Sequence, residues 1–155
     1  SGANLPFYGD DVEQVLAVEP ADLAWERSAQ RRAAFGRSVT RVSLDAAALD
    51  LPDHCVDAVV STWTLCTIPD LPAALSQARR VLRPGAGLHF VEHTMSSRPL
   101  VASTQRMLQP AWGLWAGGCH LDRDIPGELG SAAYTIDHLQ SAGWFVAGIA
   151  RPRRT

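Results

Sequence analysis

Short apolar runs alternate along the chain with amphipathic stretches. Residues 14–18, Gln-Val-Leu-Ala-Val, form an apolar run stopped by Glu19-Pro20 and predict a strand. Asp22 is the expected N-cap of a helix reaching about Phe35, where Gly36 supplies the stop. Residues 39–44 predict a second strand. Residues 56–62, nearly continuous in apolar side chains, predict a third that is covered on both faces. Leu71, Ala74, Leu75, Ala78, Val81 and Leu82 follow the 3.6-residue period and predict an amphipathic helix ended by Arg83-Pro84-Gly85. A fourth strand is expected over 88–91. Gln105 to Leu114 reads as helix around Pro110, within an otherwise loop-rich segment 94–130. Ile136 and Leu139 mark a second amphipathic stretch closed by Gly143, and a last strand follows over 144–149.

Strands alternating with helices predict an α/β fold, a mostly parallel sheet with helices on both faces. At 155 residues the chain has room for one domain. Its net charge of −2 gives no electrostatic footprint for nucleic acid, and no apolar run is long enough to span a membrane. All 14 basic residues are Arg, so chemistry that needs a lysine amine is excluded. Three Cys, an odd number without a signal peptide, fit a reducing cytoplasm better than a disulfide framework. The chain opens on Ser1-Gly2 without a Met, which reads either as processing or as the remainder of a longer chain.

In open parallel sheets, ligands sit outside the carboxyl ends of the strands, so those ends carry the candidate chemistry. Gly2 precedes Glu19 by 17 residues, the approximate spacing of a glycine turn and a ribose-binding carboxylate; an ordinary exposed Glu before Pro20 is the alternative. Asp45 with Ala46 at the next strand end can read an adenine edge, or Asp45 can cap a helix. Thr62-Trp63-Thr64 and Glu92-His93 end the next two strands.

Read together, these residues resemble a class I S-adenosylmethionine-dependent methyltransferase of the type-11 kind, similar to the methyltransferase-like 7 group and its bacterial relatives. The segments that carry the likeness are Ser1-Gly-Ala-Asn-Leu-Pro-Phe-Tyr8, Ala17-Val-Glu-Pro20, Leu65-Cys-Thr-Ile-Pro-Asp70, Arg80-Val-Leu-Arg-Pro-Gly-Ala86 and Phe90-Val-Glu-His93. Gln105 with Pro110-Ala-Trp112, and Gly118-Cys-His-Leu-Asp-Arg123, are its more selective later motifs. The resemblance implies a Rossmann-like class I methyltransferase fold with S-adenosyl-L-methionine as cofactor. It implies that Ser1 and Gly2, with Asn4 beyond them, end the glycine-rich first motif and hold the methionyl end. Glu19 and Pro20 would sit at the ribose, Asp45 and Ala46 at the adenine, and Thr62 and Trp63 beside the methionine moiety.

Two departures from the family pattern are expected to matter. The first strand and the start of the glycine loop should precede Ser1, so two sheet edges should be left unpaired. Residues 144–150 read as a fusion of two family strands. The expected function is methyl transfer to a small, partly apolar acceptor, a thiol or similar nucleophile, with 94–130 as the acceptor or lid region. His93 is the best-placed base, with a loop histidine bonded to nearby backbone as its alternative. His120 with Asp122 is either a second base and its orienter or the start of a metal site, and no metal is expected. Trp112 and Cys119 are assigned to the substrate pocket, with core packing and a buried inert thiol as their alternatives. The rival readings are a truncated, non-catalytic module that self-associates as a homodimer through an exposed sheet edge, and a nicotinamide-dependent oxidoreductase on the same fold.

Overall fold

Each strand run read from the sequence forms, but the strands pair in two separate sheets. The structure, a computed structural model, describes residues 2–153, and its contacts group into two units, Ser1–Leu51 and Pro52–Thr155. Ser1, expected at the methionyl end of the cofactor, lies outside the described residues.

The first unit opens with a 3-10 turn at Leu5–Phe7, followed by β1 (Gln14–Val18), α1 (Asp22–Arg27), α2 (Ala29–Phe35) and β2 (Ser38–Ser43). β1 and β2 pair in parallel from Gln14↔Ser38 to Ala17↔Arg41, with a slip before Val18↔Ser43. The single helix expected over 22–35 is two helices. Ser28 divides them: its Oγ donates to Trp25 O at 2.6 Å and accepts from Arg32 Nε at 2.9 Å. That local bonding competes with the helical ladder. Ala21 rather than Asp22 is the N-cap, and Asp22 stands in the first turn. Gly36 ends α2 with φ +69°, as its sequence position suggested. Among the described residues of this unit, Leu5 and Ser28 are buried and the rest are partly or fully exposed.

The second unit holds β3 (Val56–Thr62), α3 (Leu71–Val81), β4 (Leu82–His93), α4 (Pro99–Trp115), α5 (Ile125–Ser131), β5 (Tyr134–Ala142) and β6 (Phe145–Pro152). Its sheet runs β3-β4-β6-β5, with β3 and β4 parallel and β6 antiparallel to both neighbours. Asp70 caps α3, accepting from Ala73 N at 3.0 Å. The apolar stripe of α3, Leu71, Ala74, Leu75, Ala78 and Val81, is buried. It packs into a core with Leu82, Leu88, Phe90, Ile125, Leu129, Tyr134, Val146 and Ala150. The helix stops at Val81, earlier than Arg83-Pro84-Gly85, and those three residues belong to β4.

Two expectations for the C-terminal part are corrected. Residues 134–142 are a strand, not an amphipathic helix, and they pair with β6 from Tyr134↔Pro152 to Ala142↔Phe145. Only Tyr134 of this strand is fully buried, so the two apolar residues Ile136 and Leu139 were too few to fix a period. Residues 144–150 are therefore not two fused strands. The two strands exist separately, joined by the two-residue turn Gly143-Trp144. Gly143 has φ +66°, in the first central position that tight hairpins reserve for glycine. Further upstream, α4 is longer than the 105–114 segment read from sequence and retains Pro110 in its interior, and α5 lies in a segment read as loop.

Among the described residues, β1 has β2 as its one neighbour and β3 has β4 as its one neighbour. The edge strands are thus β1 and β2 of one sheet and β3 and β5 of the other among the described residues. No helix is long and apolar enough to cross a membrane among those residues.

The β4–β6–β5 junction gives a direct test. A Cβ on Gly148 would strike the carbonyl oxygen of His138 and lie 2.8 Å from Phe90 Cζ. Gly148→Ala is expected to destabilise the chain by about 1–3 kcal/mol, the usual range for overpacking. Gly130, in α5 with nothing within 4 Å of an added Cβ, is the control. Gly130→Ala should stabilise by up to about 1 kcal/mol, with both read from urea unfolding midpoints.

Candidate active site

The first unit carries the residues assigned to ribose and adenine. Gly2 has φ +67°, and a Cβ there would come within 3.2 Å of Leu5 Cδ1 and Ser28 Cβ, so both the conformation and the space call for glycine. Asn4 precedes the 3-10 turn, and its backbone oxygen accepts from Phe7 N at 3.0 Å. Glu19 lies immediately beyond β1. Its Oε1 accepts from Ala21 N at 3.2 Å across the exposed Pro20, and its backbone oxygen accepts from Arg41 Nε at 2.8 Å. Asp45 lies just past β2, exposed, with Oδ1 accepting from Ala47 N at 2.8 Å in a local turn rather than as a helix cap. A carboxylate at the carboxyl end of each strand, with the Ala46 backbone beside the second, is a donor and acceptor set that fits a nucleoside.

The second unit carries Thr62, Trp63 and the remaining expected residues. β3 ends at Thr62, and Trp63 takes φ +55°, an unusual conformation for a non-glycine residue. Its N–H donates to Val91 O at 2.9 Å. The turn is held by Glu92, which sequence reasoning placed at a strand end without giving it a role. Glu92 is fully buried at 0% exposure. Its Oε1 accepts from Ser61 Oγ at 2.6 Å, both oxygens accept from Thr64 N at 3.0–3.1 Å, and Oε2 accepts from Cys66 N at 3.3 Å. One carboxylate thus satisfies three donors from β3 and the turn after it.

Beside this turn lies a cavity of about 660 Å³. Trp63, Cys66, His93, Trp112, Cys119 and Phe145 line it, together with residues of α4 and the Gly143-Trp144 turn. Of the expected site residues, the structure therefore brings Trp63, His93, Trp112 and Cys119 to one cavity. His120 does not line it. Its N–H donates to Cys66 O at 2.9 Å, and no hydrogen bond joins it to Asp122 among the described residues. Those residues also contain no group of three metal-binding side chains.

His93 is buried, and both its ring nitrogens lack a hydrogen-bond partner. Phe145 and Trp144 stand edge-on to it, with centroids 6.0 and 6.4 Å away, and Phe145 also meets Trp63 at 5.2 Å. Burial pushes the imidazole pKa down, partly offset by the Glu92 charge. Burial first, then the Glu92 and Cys119 neighbours, push the Cys66 thiol up to about 12. The site therefore holds a neutral base and a protonated thiol at neutral pH.

Two outcomes follow from this geometry. In Glu92→Gln, an amide N–H₂ replaces one acceptor facing three donors, which should cost about 2–3 kcal/mol and lower the thermal midpoint. The His93 imidazole, with its folded pKa below the ordinary 6.5, favours the fold in its neutral form. That contribution is fully present above pH 6.5 and is lost as pH falls below it toward the folded value. Urea midpoints of wild type and His93→Asn should diverge above pH 6.5 relative to their difference in acid.

The methyltransferase domain family matches residues 1–91. Thiol S-methyltransferase TMT1A of Homo sapiens is 30% identical over 154 residues, covering 91% of this chain and 60% of the human protein. Thiol S-methyltransferase TMT1B of Rattus norvegicus is 30% identical over 146 residues, covering 90% of this chain and 59% of the rat protein. The chain thus spans about 60% of the length of these curated relatives. Among solved structures, an S-adenosylmethionine-dependent methyltransferase from Mesorhizobium loti superposes with a TM-score of 0.69 at 18% identity, covering 90% of this chain and 81% of that one. The chain belongs to the methyltransferase domain family, and its fold is that of the class I S-adenosylmethionine-dependent methyltransferases.

Proposed function

We propose that the chain transfers a methyl group to a small, uncharged, largely apolar acceptor, a thiol above all, held in the cavity beside His93. The observation that carries this reading is a buried imidazole with two unpartnered nitrogens in the wall of an aromatic-lined cavity. The similarity to thiol S-methyltransferases supports the thiol.

The family's cofactor supplies an electrophilic methyl group when bound. Within the first unit, Glu19 and Pro20 would hold its ribose, Asp45 and Ala46 its adenine, and Gly2 and Asn4 its methionyl end; Thr62 and Trp63, in the second unit, are assigned to the methionine moiety by the family resemblance alone. Trp112, Leu108 and Phe145 bind the apolar body of the acceptor and exclude water. His93, neutral because burial disfavours its charge, accepts the acceptor's proton at one of its ring nitrogens. Methyl transfer needs little more than this placement of a nucleophile.

A second reading rests on the open edges of β1 and β3, which support self-association through strand pairing in a non-catalytic module. Calorimetric titration with S-adenosylhomocysteine separates the two. Saturable one-to-one binding, lost in Glu19→Ala and Asp45→Ala, supports the enzyme. A folded chain that gives no heat and forms dimers supports the module.

For the chemistry, His93→Asn should lower kcat/KM by about ten- to a hundredfold with an alkyl thiol. The loss should be smaller with thiophenol, whose proton leaves more easily. The wild-type acid limb should lie below the ordinary imidazole value of 6.5. Equal losses with both thiols and an unmoved acid limb would remove His93 from proton transfer.

A further inference from the structure

Two segments of the cavity wall, 65–68 and 118–123, are stitched together along their backbones. His120 N donates to Cys66 O at 2.9 Å, and Arg123 Nη1 donates to Leu65 O at 2.7 Å and to Ile68 O at 2.8 Å. Gln109 fixes the next stretch, donating through Nε2 to Cys119 O at 3.3 Å and accepting from Leu121 N at 2.5 Å. Gly118, at φ +83°, lets the second segment approach the first, with its Cβ position 3.9 Å from Thr67 O. The result sets Cys66 against Cys119. The bond from His120 N to Cys66 O brings the backbone next to Cys119 alongside Cys66, and both cysteines line the same cavity. Methyl transfer as derived above has no use for a pair.

We infer that Cys66 and Cys119 are a dithiol that closes reversibly into a disulfide within the cavity wall when the chain meets a disulfide oxidant such as oxidised glutathione. Cys119 is the more exposed of the two and reacts first. Its sulfur bonds to one sulfur of the oxidant, the oxidant's S–S bond breaks, and one thiol departs with the Cys119 proton. Cys66 then attacks the mixed disulfide at Cys119, and a second thiol departs with the Cys66 proton. Two protein thiols are oxidised and one disulfide is reduced to two thiols, so atoms and electrons balance. Burial holds the Cys66 proton tightly, which makes Cys66 the resolving rather than the attacking thiol and keeps it inert without its neighbour. Closure removes two S–H groups from the wall and locks 65–68 to 118–121. That this weakens acceptor binding rests on the acceptor reading above; the pairing itself does not.

The test exposes the purified chain to mixtures of reduced and oxidised glutathione, then counts free thiols and maps disulfides after alkylation. The expected result is a fall from three thiols to one, with the 66–119 peptides joined and dithiothreitol restoring all three. Cys55→Ser should keep the same bridge, whereas Cys66→Ser and Cys119→Ser should form none. Phenylarsine oxide, which spans neighbouring thiols, should protect both residues of the reduced chain at once. Separate glutathione adducts, or bridges through Cys55, with no dual protection by the arsenical, would overturn the pairing. Thioanisole, an apolar thioether that cannot reduce the bridge, reports on the cavity, and its affinity should fall about tenfold on oxidation. A bridge with unchanged thioanisole affinity would sink the acceptor reading and leave the pairing standing. Thioanisole binding without any bridge would do the reverse.

Discussion

A single buried carboxylate organises the second unit. β4 places Leu88, Phe90 and Glu92 on its core face, the period-2 consequence of a pleated strand. Leu88 and Phe90 meet the apolar side of α3, whereas Glu92 stands level with the end of β3, where the backbone must turn. The turn leaves the N–H groups of Thr64 and Cys66 without ladder partners, and the Ser61 hydroxyl points the same way. A buried carboxylate without donors would be costly, and buried donors without an acceptor would be costly too. Each removes the other's penalty, so the end of β3 and the end of β4 fold as one piece. Trp63 can hold its left-handed backbone because both ends of the turn are pinned.

From that pinned turn the cavity follows. His93 is the residue after Glu92 and so faces the opposite way, toward Phe145 and Trp144. Its imidazole gains no hydrogen bond there, only aromatic edges, and this sets its protonation. The same strand end therefore presents one side chain saturated with partners and one left with none. The first holds structure, and the second is available to a ligand.

How much of this could be read beforehand depended on how local the signal was. β1 and β3 were legible as short runs rich in apolar residues, and β2 because the β-branched Val39, Thr40 and Val42 fall between Gly36 and Asp45. The stripe of α3 fixed its period with five buried positions. Residues 134–142 misled because Ile136 and Leu139 alone suit a helix or a strand, and only pairing with β6 decides. The break at Ser28 was hidden for another reason: a serine inside a helical pattern is common, and its bond to Trp25 depends on the side chain turning inward. Strand-end placement pointed to Glu19, Asp45, Trp63 and His93, and the structure places each at or just past the carboxyl end of a strand. The same rule set Glu92 at a strand end without a role, since nothing in one sequence says which of two adjacent polar side chains will be buried among backbone donors.

The cavity was the least legible feature because no contiguous segment makes it. Its wall draws on the turn after β3, the end of β4, one face of α4, the loop through Cys119 and the hairpin between β5 and β6. The hairpin shows why connection length matters here. With only Gly143 and Trp144 between the strands, Trp144 O accepts from Thr94 N at 2.8 Å, just past His93. That bond draws Trp144 and Phe145 against the imidazole. A longer connection would have no reason to return to this point. The two-residue turn thus supplies the two aromatic edges that desolvate His93 and, through burial, favour its neutral form.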